Sequence, residues 1–283
     1  RARAVALAIQ AGRELSVVDS WQAYIQYTKN DILGAIKKVA ALFSTAAVAD
    51  KTALGRSMML VGQMHHFSGS AELSRPWYVA ARDVAIETED HGLHSALLFN
   101  MASHHVCNYR HHVIRGSRRS IDLDLLRATV ESVKNYDRLV GIDSLKSYEV
   151  SLLASVHLFN ERYSEALALY QGYLAKDRFD ALSRMSSLYI SEMAVCAASL
   201  GDFTLARKYV ADADSALSEL VHVDDIAATR SRLSQALELL GDAEAAASQR
   251  SLAESFWSRH EEFQGEIRRE LAEKLANSPQ DVR

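Results

Sequence analysis

The 283-residue chain contains few of the residues that cross-link a protein or interrupt its secondary structure: two cysteines, two prolines and 12 glycines. Two cysteines cannot build a disulfide framework, and such low usage is typical of a reducing compartment, so we expect a cytoplasmic protein. Turns between strands draw heavily on glycine and proline, so their scarcity argues against a β-rich fold. No apolar run reaches the roughly 18 residues that a membrane helix needs, and we therefore expect no membrane partner.

A marked excess of either charge is also absent, as are the common catalytic signatures. The formal net charge is −4 and the pI is near 6.3, which argues against nucleic acid as a partner. The sequence has no GxGxxG, GxxxxGK[ST], HExxH or GxSxG motif, so we expect neither an enzyme nor a cofactor. Because the chain begins at Arg1 rather than at a methionine, we expect it to be a piece of a longer protein.

What the sequence does contain is helical periodicity and internal repetition. Alanine and leucine are plentiful, and apolar residues recur every three or four positions, which predicts an all-α fold. The chain also resembles itself at steps of 40 residues, a period typical of helical-repeat proteins. Three such segments begin at Leu153, Met193 and Leu233 and read LASVHLFNERYSEALALYQGY, MAVCAASLGDFTLARKYVADA and LSQALELLGDAEAAASQRSLA.

Each segment resembles a unit of the tetratricopeptide repeat (TPR) family, in which a small residue of the first helix faces an alanine of the second. Two antiparallel helices approach closely only where the residues at their crossing are small. The crossing pairs are Ala23 with Ala35, Gly62 with Ser74, Ala102 with Ala128, Ala154 with Ala166, Ala194 with Ala206, and Ser234 with Ala246. The resemblance implies a right-handed α-solenoid of antiparallel helix pairs with about six repeats.

On this register the chain forms one helical-repeat domain over residues 1–283. We predict a leading helix over 1–13, repeats over 15–46, 56–90, 93–140, 147–176, 187–217 and 227–253, and a long closing helix over 246–276. The third repeat is lengthened by a basic insertion over residues 110–124, which carries Arg110, Arg115, Arg118 and Arg119. This insertion is either an anion- or partner-docking loop or an ordinary solvated surface loop.

In TPR proteins the first helices line a concave groove in which partners bind. The register predicts that the groove is lined by Tyr24, Tyr27, Met59, Gln63, His66, Phe67, Phe99, Ser103, Cys107, Ser151, Ser155 and Phe159. None of these is a lysine, arginine or asparagine, the residues with which some family members hold a terminal carboxylate. The resemblance therefore implies a non-catalytic module that binds a peptide or protein segment, as the regulatory or sensor part of a bacterial signalling or transcription protein.

Histidines are concentrated in the second and third repeats, where eight of the 11 fall between His65 and His112. On one helix, His104, Cys107 and His111 would lie within an arc of about 60°, and imidazole and thiolate are ligands for zinc or copper. This spacing leaves open a metal- or small-molecule-responsive sensor that uses the histidine-rich repeats. A scaffold or dimerisation module, and hence a homo-oligomer, is a third alternative.

Overall fold

The computed structural model describes residues 12–44, 50–116, 122–142, 146–174, 185–218, 221–275 and 279. Within those ranges the chain forms twelve helices and no strand, which confirms the expectation of an all-α protein. The helices are α1 Gly12–Thr28, α2 Ile32–Ser44, α3 Lys51–Phe67, α4 Ala71–Glu87, α5 His91–Ile114, α6 Leu123–Val140, α7 Lys146–Phe159, α8 Tyr163–Leu174, α9 Ser186–Ser199, α10 Phe203–Ser215, α11 Val223–Leu239 and α12 Ala243–Lys274. Among these twelve, none is both long and apolar enough to cross a membrane.

Some predicted features fall outside the described residues. The leading helix predicted over 1–13 overlaps them only at residues 12 and 13, which belong to α1. Arg118 and Arg119 of the predicted basic insertion also lie outside them. The closing helix predicted over 246–276 falls on α12, which extends over 32 residues.

The turns between paired helices share one construction. A residue in the left-handed backbone region, with φ between 56° and 79°, follows the first helix at Asn30, Gly69, Glu161, Gly201 and Gly241. In the last two turns the next residue is an aspartate that caps the second helix. Asp202 Oδ1 accepts a hydrogen bond from Leu205 N at 3.0 Å, and Asp242 Oδ1 accepts one from Ala245 N at 3.2 Å. The glycine-aspartate pair thus ends one helix and starts the next.

Several of the small residues that the sequence predicts at helix crossings are buried. Ala154, Ala166, Ala194 and Ala206 are all fully buried. At Gly62, a methyl group would lie 2.7 Å from the ring of Tyr78, so no larger side chain fits without a shift of the ring. The close approach of these helices therefore depends on the absence of bulk at the crossing.

The segment predicted as the third repeat departs from the predicted register. Ala128, predicted at a crossing, is exposed. Helix α6 instead buries Leu126, Val130, Val133 and Asp137. These four residues lie at the three- and four-residue spacing of one helix face. The prediction for Ala128 is wrong because the apolar stripe of α6, rather than its small residue, determines which face is buried.

The chain divides into two compact units, each with its own core, and the boundaries fall within α5 and α12. Unit 1 comprises residues 1–100 and 261–283, and its core includes the fully buried Ile36, Trp77 and Ile267. Unit 2 comprises residues 101–260. In unit 2 the alanine-rich helix α9 packs against α8, α10 and α11, and the rings of Tyr170 and Tyr189 lie 5.7 Å apart between their centroids.

The left-handed turn at Gly201 is testable with a paired substitution. Gly201→Ala should lower the free energy of unfolding by about 1 kcal/mol, because an alanine is strained at positive φ. Of the residues described, none places an atom within 4 Å of the added methyl group, so the effect would be conformational alone.

The matched control is Gly172→Ala, an exposed glycine inside α8 with the same free space. There alanine should raise stability by about 0.5–1 kcal/mol, because it is the better helix former. Urea unfolding followed by circular dichroism measures both changes. A stabilising effect at both positions would contradict the left-handed turn.

Candidate functional site

Arg110 occupies the interior of unit 2 rather than a surface loop. Helix α5 continues to Ile114, and Arg110 in its last turns has no exposed surface. The prediction that Arg110 begins an exposed basic insertion is therefore wrong. Arg115, which is exposed, follows the helix and places its guanidinium group 5.5 Å from the centroid of the Trp257 ring.

Four buried side chains from four helices, Arg110 among them, form a hydrogen-bonded group in this interior. The Nε of Arg110 donates a hydrogen bond to Glu192 Oε1 at 2.8 Å, and its Nη2 donates one to Ser155 Oγ at 2.8 Å. The hydroxyl of Tyr170 donates to Glu192 Oε2 at 2.5 Å. Arg110, Ser155, Tyr170 and Glu192, together with Arg232, are called the polar core below. Each hydrogen bond offsets part of the free energy needed to bury the charged pair.

Arg232, on α11, is the least satisfied member of the polar core. It is 3% exposed, and its Nε lies 3.7 Å from Glu192 Oε1, beyond hydrogen-bond distance. Its Nη1 donates to Gln235 Oε1 at 2.7 Å, whereas Nε and Nη2 are buried with no hydrogen-bond partner in the described structure. Burial lowers the pKa of Arg232. Two guanidinium groups thus share one carboxylate.

The electrostatics of Glu192 reflect this arrangement. Burial opposes ionisation, but the positive charges of Arg110 and Arg232 outweigh it and hold the pKa of Glu192 below its ordinary value. Glu192 is therefore a carboxylate near neutral pH. The neighbouring carboxyl of Asp225 behaves in the opposite way, because burial and the charge of Asp224 raise its pKa well above the ordinary value.

Next to the polar core, His111, Asp224 and His260 form a second cluster, called the His–Asp cluster below. One nitrogen or carboxylate oxygen from each of the three residues lies within 4.8 Å of those from the other two. The ring of Trp257 lies 4.8 Å from that of His111 and 6.1 Å from that of His260, between centroids. Burial lowers the pKa of His111 to about 4, so its imidazole is neutral near pH 7.

The predicted metal candidates do not come together. His111 joins Asp224 and His260, and neither His104 nor Cys107 belongs to this cluster. Cys107 Sγ instead lies 3.6 Å from Arg110 Nη1, and burial raises the pKa of the thiol to about 12. A protonated thiol is a poor metal ligand. The sequence did not point to His260 because it lies on a different helix, far along the chain.

The predicted groove residues fall into two groups. Seven retain exposed surface: Tyr24, Tyr27, Phe67, Phe99, Ser103, Cys107 and Phe159. Five are buried, namely Met59, Gln63, His66, Ser151 and Ser155. The buried five have too little exposed surface to contact a partner in this structure. Ser155, for example, is used inside the polar core rather than in a groove.

A cavity of about 450 Å³ also opens in unit 2, lined by α6, α7 and α8. Apolar side chains form much of its wall, including Val130, Leu153 and Leu169. Asp137 also lines it, although this residue occupies the buried stripe of α6 and is only 4% exposed. Within the part of the chain described, neither carboxylate oxygen of Asp137 has a hydrogen-bond partner.

The role of Glu192 in the polar core can be measured. Glu192→Gln should lower the free energy of unfolding by about 3 kcal/mol or more, because Arg110 and Arg232 would then be buried without a counter-charge. The control, Glu165→Gln, removes the exposed 2.8 Å pair with Arg162 and should leave stability nearly unchanged, because solvent screens that pair. Denaturant unfolding compares the two, and equally small effects would contradict a stabilising role for Glu192.

The same carboxylate should make stability depend on pH. The folded-state pKa of Glu192 is lowered, whereas in the unfolded chain it is about 4.3. Its contribution is therefore fully present above the unfolded value and is lost as pH falls through the folded value. The stability gap between the wild type and Glu192→Gln should stay constant from about pH 7 to 5 and shrink below about pH 4. A gap that widens in acid would contradict this assignment.

No protein-family model, curated protein or solved structure matches this chain. A function must therefore rest on the chain's own residues. The polar core, the His–Asp cluster, the cavity beside Asp137 and the exposed apolar side chains are the features that bear on it.

Proposed function

We propose that this chain is a non-catalytic helical-repeat module of TPR-like design that binds a peptide or protein segment. In this proposal it forms a right-handed solenoid of about six helix pairs and is the regulatory or sensor part of a larger bacterial signalling or transcription protein. The observation that carries the proposal is the repeated turn, with a left-handed residue between two helices at Asn30, Gly69, Glu161, Gly201 and Gly241. Repetition of one helix pair produces extended binding surfaces.

The best-supported docking surface is on α1. Trp21, Tyr24 and Ile25 are 46%, 37% and 47% exposed, and their spacing places them on one face of the helix. The rings of Trp21 and Tyr24 meet edge to face, with centroids 6.0 Å apart. The guanidinium group of Arg56 lies 4.6 Å from the centroid of the Trp21 ring. Aromatic side chains held in this way are typical of residues that dominate binding energy.

Partner capture tests this surface. The double variant Trp21→Ala/Tyr24→Ala should recover at least about tenfold less of any partner captured by the wild type, because two aromatic anchors are lost. The matched control is Leu125→Ala/Leu139→Ala, which removes two side chains that are 65% and 82% exposed on α6. Equal recovery by both double variants would contradict docking on α1.

Light scattering of the same proteins separates docking of a partner from self-association. Wild-type protein that is monomeric at high concentration supports a surface for another protein. A dimer that dissociates in the Trp21→Ala/Tyr24→Ala variant would instead favour the dimerisation module.

A second candidate function, binding of a small organic amine, is favoured by the cavity in unit 2. A buried carboxylate without a partner is unfavourable unless a cation or a hydrogen-bond donor pairs with it. The apolar wall formed by Val130, Leu153 and Leu169 would accommodate the carbon skeleton of a ligand, and Asp137 its ammonium group. Of the five charged lining residues, three are acidic (Glu131, Asp137 and Glu149) and two are basic (Lys134 and Arg138), so acidic groups outnumber basic ones around a bound ligand.

Hexylamine, with hexanol and hexanoate as neutral and anionic counterparts, tests this second function. The amine alone should raise the melting temperature of the wild type, because ligand binding stabilises the folded state. Asp137→Leu should abolish that response and should itself stabilise the protein by about 1 kcal/mol or more, since an unpaired buried carboxylate is removed. Glu131→Gln, a less buried lining residue, serves as the control. An equal rise in melting temperature with hexanol would contradict recognition of the ammonium charge.

A further inference from the structure

The His–Asp cluster of unit 2 combines three side chains that can each ligate a metal ion. His111 comes from α5, Asp224 from the first turn of α11 and His260 from the middle of α12. Asp224 is 8% exposed and His260 is 4% exposed, and His111 is partly buried. We propose that these three residues form a binding site for a divalent transition-metal ion of the zinc class.

The distances suit such an ion. Nitrogen and oxygen ligands lie about 2.0–2.2 Å from zinc, which puts ligands of a tetrahedral site roughly 3.4 Å from one another. His111 Nε2 lies 3.8 Å from Asp224 Oδ2, and all three ligand atoms lie within 4.8 Å of one another. Small side-chain rotations would bring the three ligand atoms to the shorter separation that a bound ion requires.

Hydrogen bonding between His111 and Asp224 does not explain the cluster. Their 3.8 Å separation is too long for a hydrogen bond. Asp224 Oδ1 is buried and, in the described part of the chain, accepts no hydrogen bond. A buried carboxylate oxygen without a donor is an exception that needs a specific cause. Coordination of a cation would satisfy this carboxylate.

The surroundings define what kind of metal site it would be. Three protein ligands leave at least one position for water or another ligand, in contrast to closed structural zinc sites with four. Trp257 forms an apolar wall against both imidazole rings. The positive charges of Arg110 and Arg115 act on His111. They would also repel a metal ion bound to it and so weaken binding. We therefore expect a reversible site of moderate affinity, in keeping with a sensor rather than a structural centre.

Occupancy would join three helices of unit 2. Because α5, α11 and α12 each supply one ligand, a bound ion would cross-link them, and the free energy of binding would add to the stability of unit 2. This inference does not depend on the docking surface of α1 or on the cavity beside Asp137.

Isothermal titration of the full 283-residue chain, stripped of metal with a chelator, tests the site. Zinc should bind with a stoichiometry of one ion per chain and raise the melting temperature. Cobalt(II), used as a spectroscopic probe, should give the visible absorption of a four- or five-coordinate ion. Asp224→Asn and His260→Gln should each weaken zinc binding by at least about tenfold and remove the cobalt spectrum.

His157→Gln is the matched control, because His157 belongs to unit 2 but not to the His–Asp cluster. It should bind zinc like the wild type. Circular dichroism establishes that each variant is folded, and His111→Gln provides a third ligand variant should either of the others fail to fold. The proposal is overturned if the wild type shows no stoichiometric binding. It is also overturned if folded Asp224→Asn and His260→Gln proteins bind zinc as tightly as His157→Gln.

Discussion

The buried ion pair between Arg110 and Glu192 is the interaction on which the interior of unit 2 depends. Both side chains have no exposed surface, and the desolvation of two charges is offset only by a complete set of partners. Ser155 and Tyr170 supply hydrogen bonds from α7 and α8. Shifting any one of these helices along its axis would break a charged hydrogen bond. An apolar core tolerates such a shift more readily, so the pair specifies how the helices are arranged.

The same pair places the His–Asp cluster. His111 follows Arg110 directly on α5, so anchoring the arginine also fixes the backbone position from which the imidazole extends. Glu192 attracts Arg232 on α11, the helix that carries Asp224 in its first turn. The polar core thus aligns two of the three helices that supply the cluster.

The sequence predicts local structure well and the pairing of buried charges poorly. The glycine-aspartate pairs Gly201-Asp202 and Gly241-Asp242 form contacts only with residues close to them in the sequence, so the sequence is enough to predict these turns. The helices are likewise predicted by the local spacing of apolar residues. Arg110 and Glu192 are 82 residues apart, and no local rule relates them. A signal was nevertheless present, because Arg110 follows Ala102 and Val106 at four-residue steps on a buried face. A charge in such a stripe indicates a buried partner.

The polar residues inside unit 2 occupy positions where apolar residues would give a more stable protein. Asp137 continues the stripe of Leu126, Val130 and Val133, yet its carboxylate oxygens have no hydrogen-bond partner among the described residues. Two nitrogen atoms of Arg232, Nε and Nη2, have no hydrogen-bond partner among the described residues, although they lie close to a carboxylate that already binds Arg110. A sequence selected only for stability would lose such groups, since apolar replacements of buried charges are commonly neutral or stabilising. Local conflict of this kind is expected at functional sites. The two proposed small-ligand sites, the His–Asp cluster and the cavity beside Asp137, therefore both lie in unit 2, apart from the proposed docking face of α1.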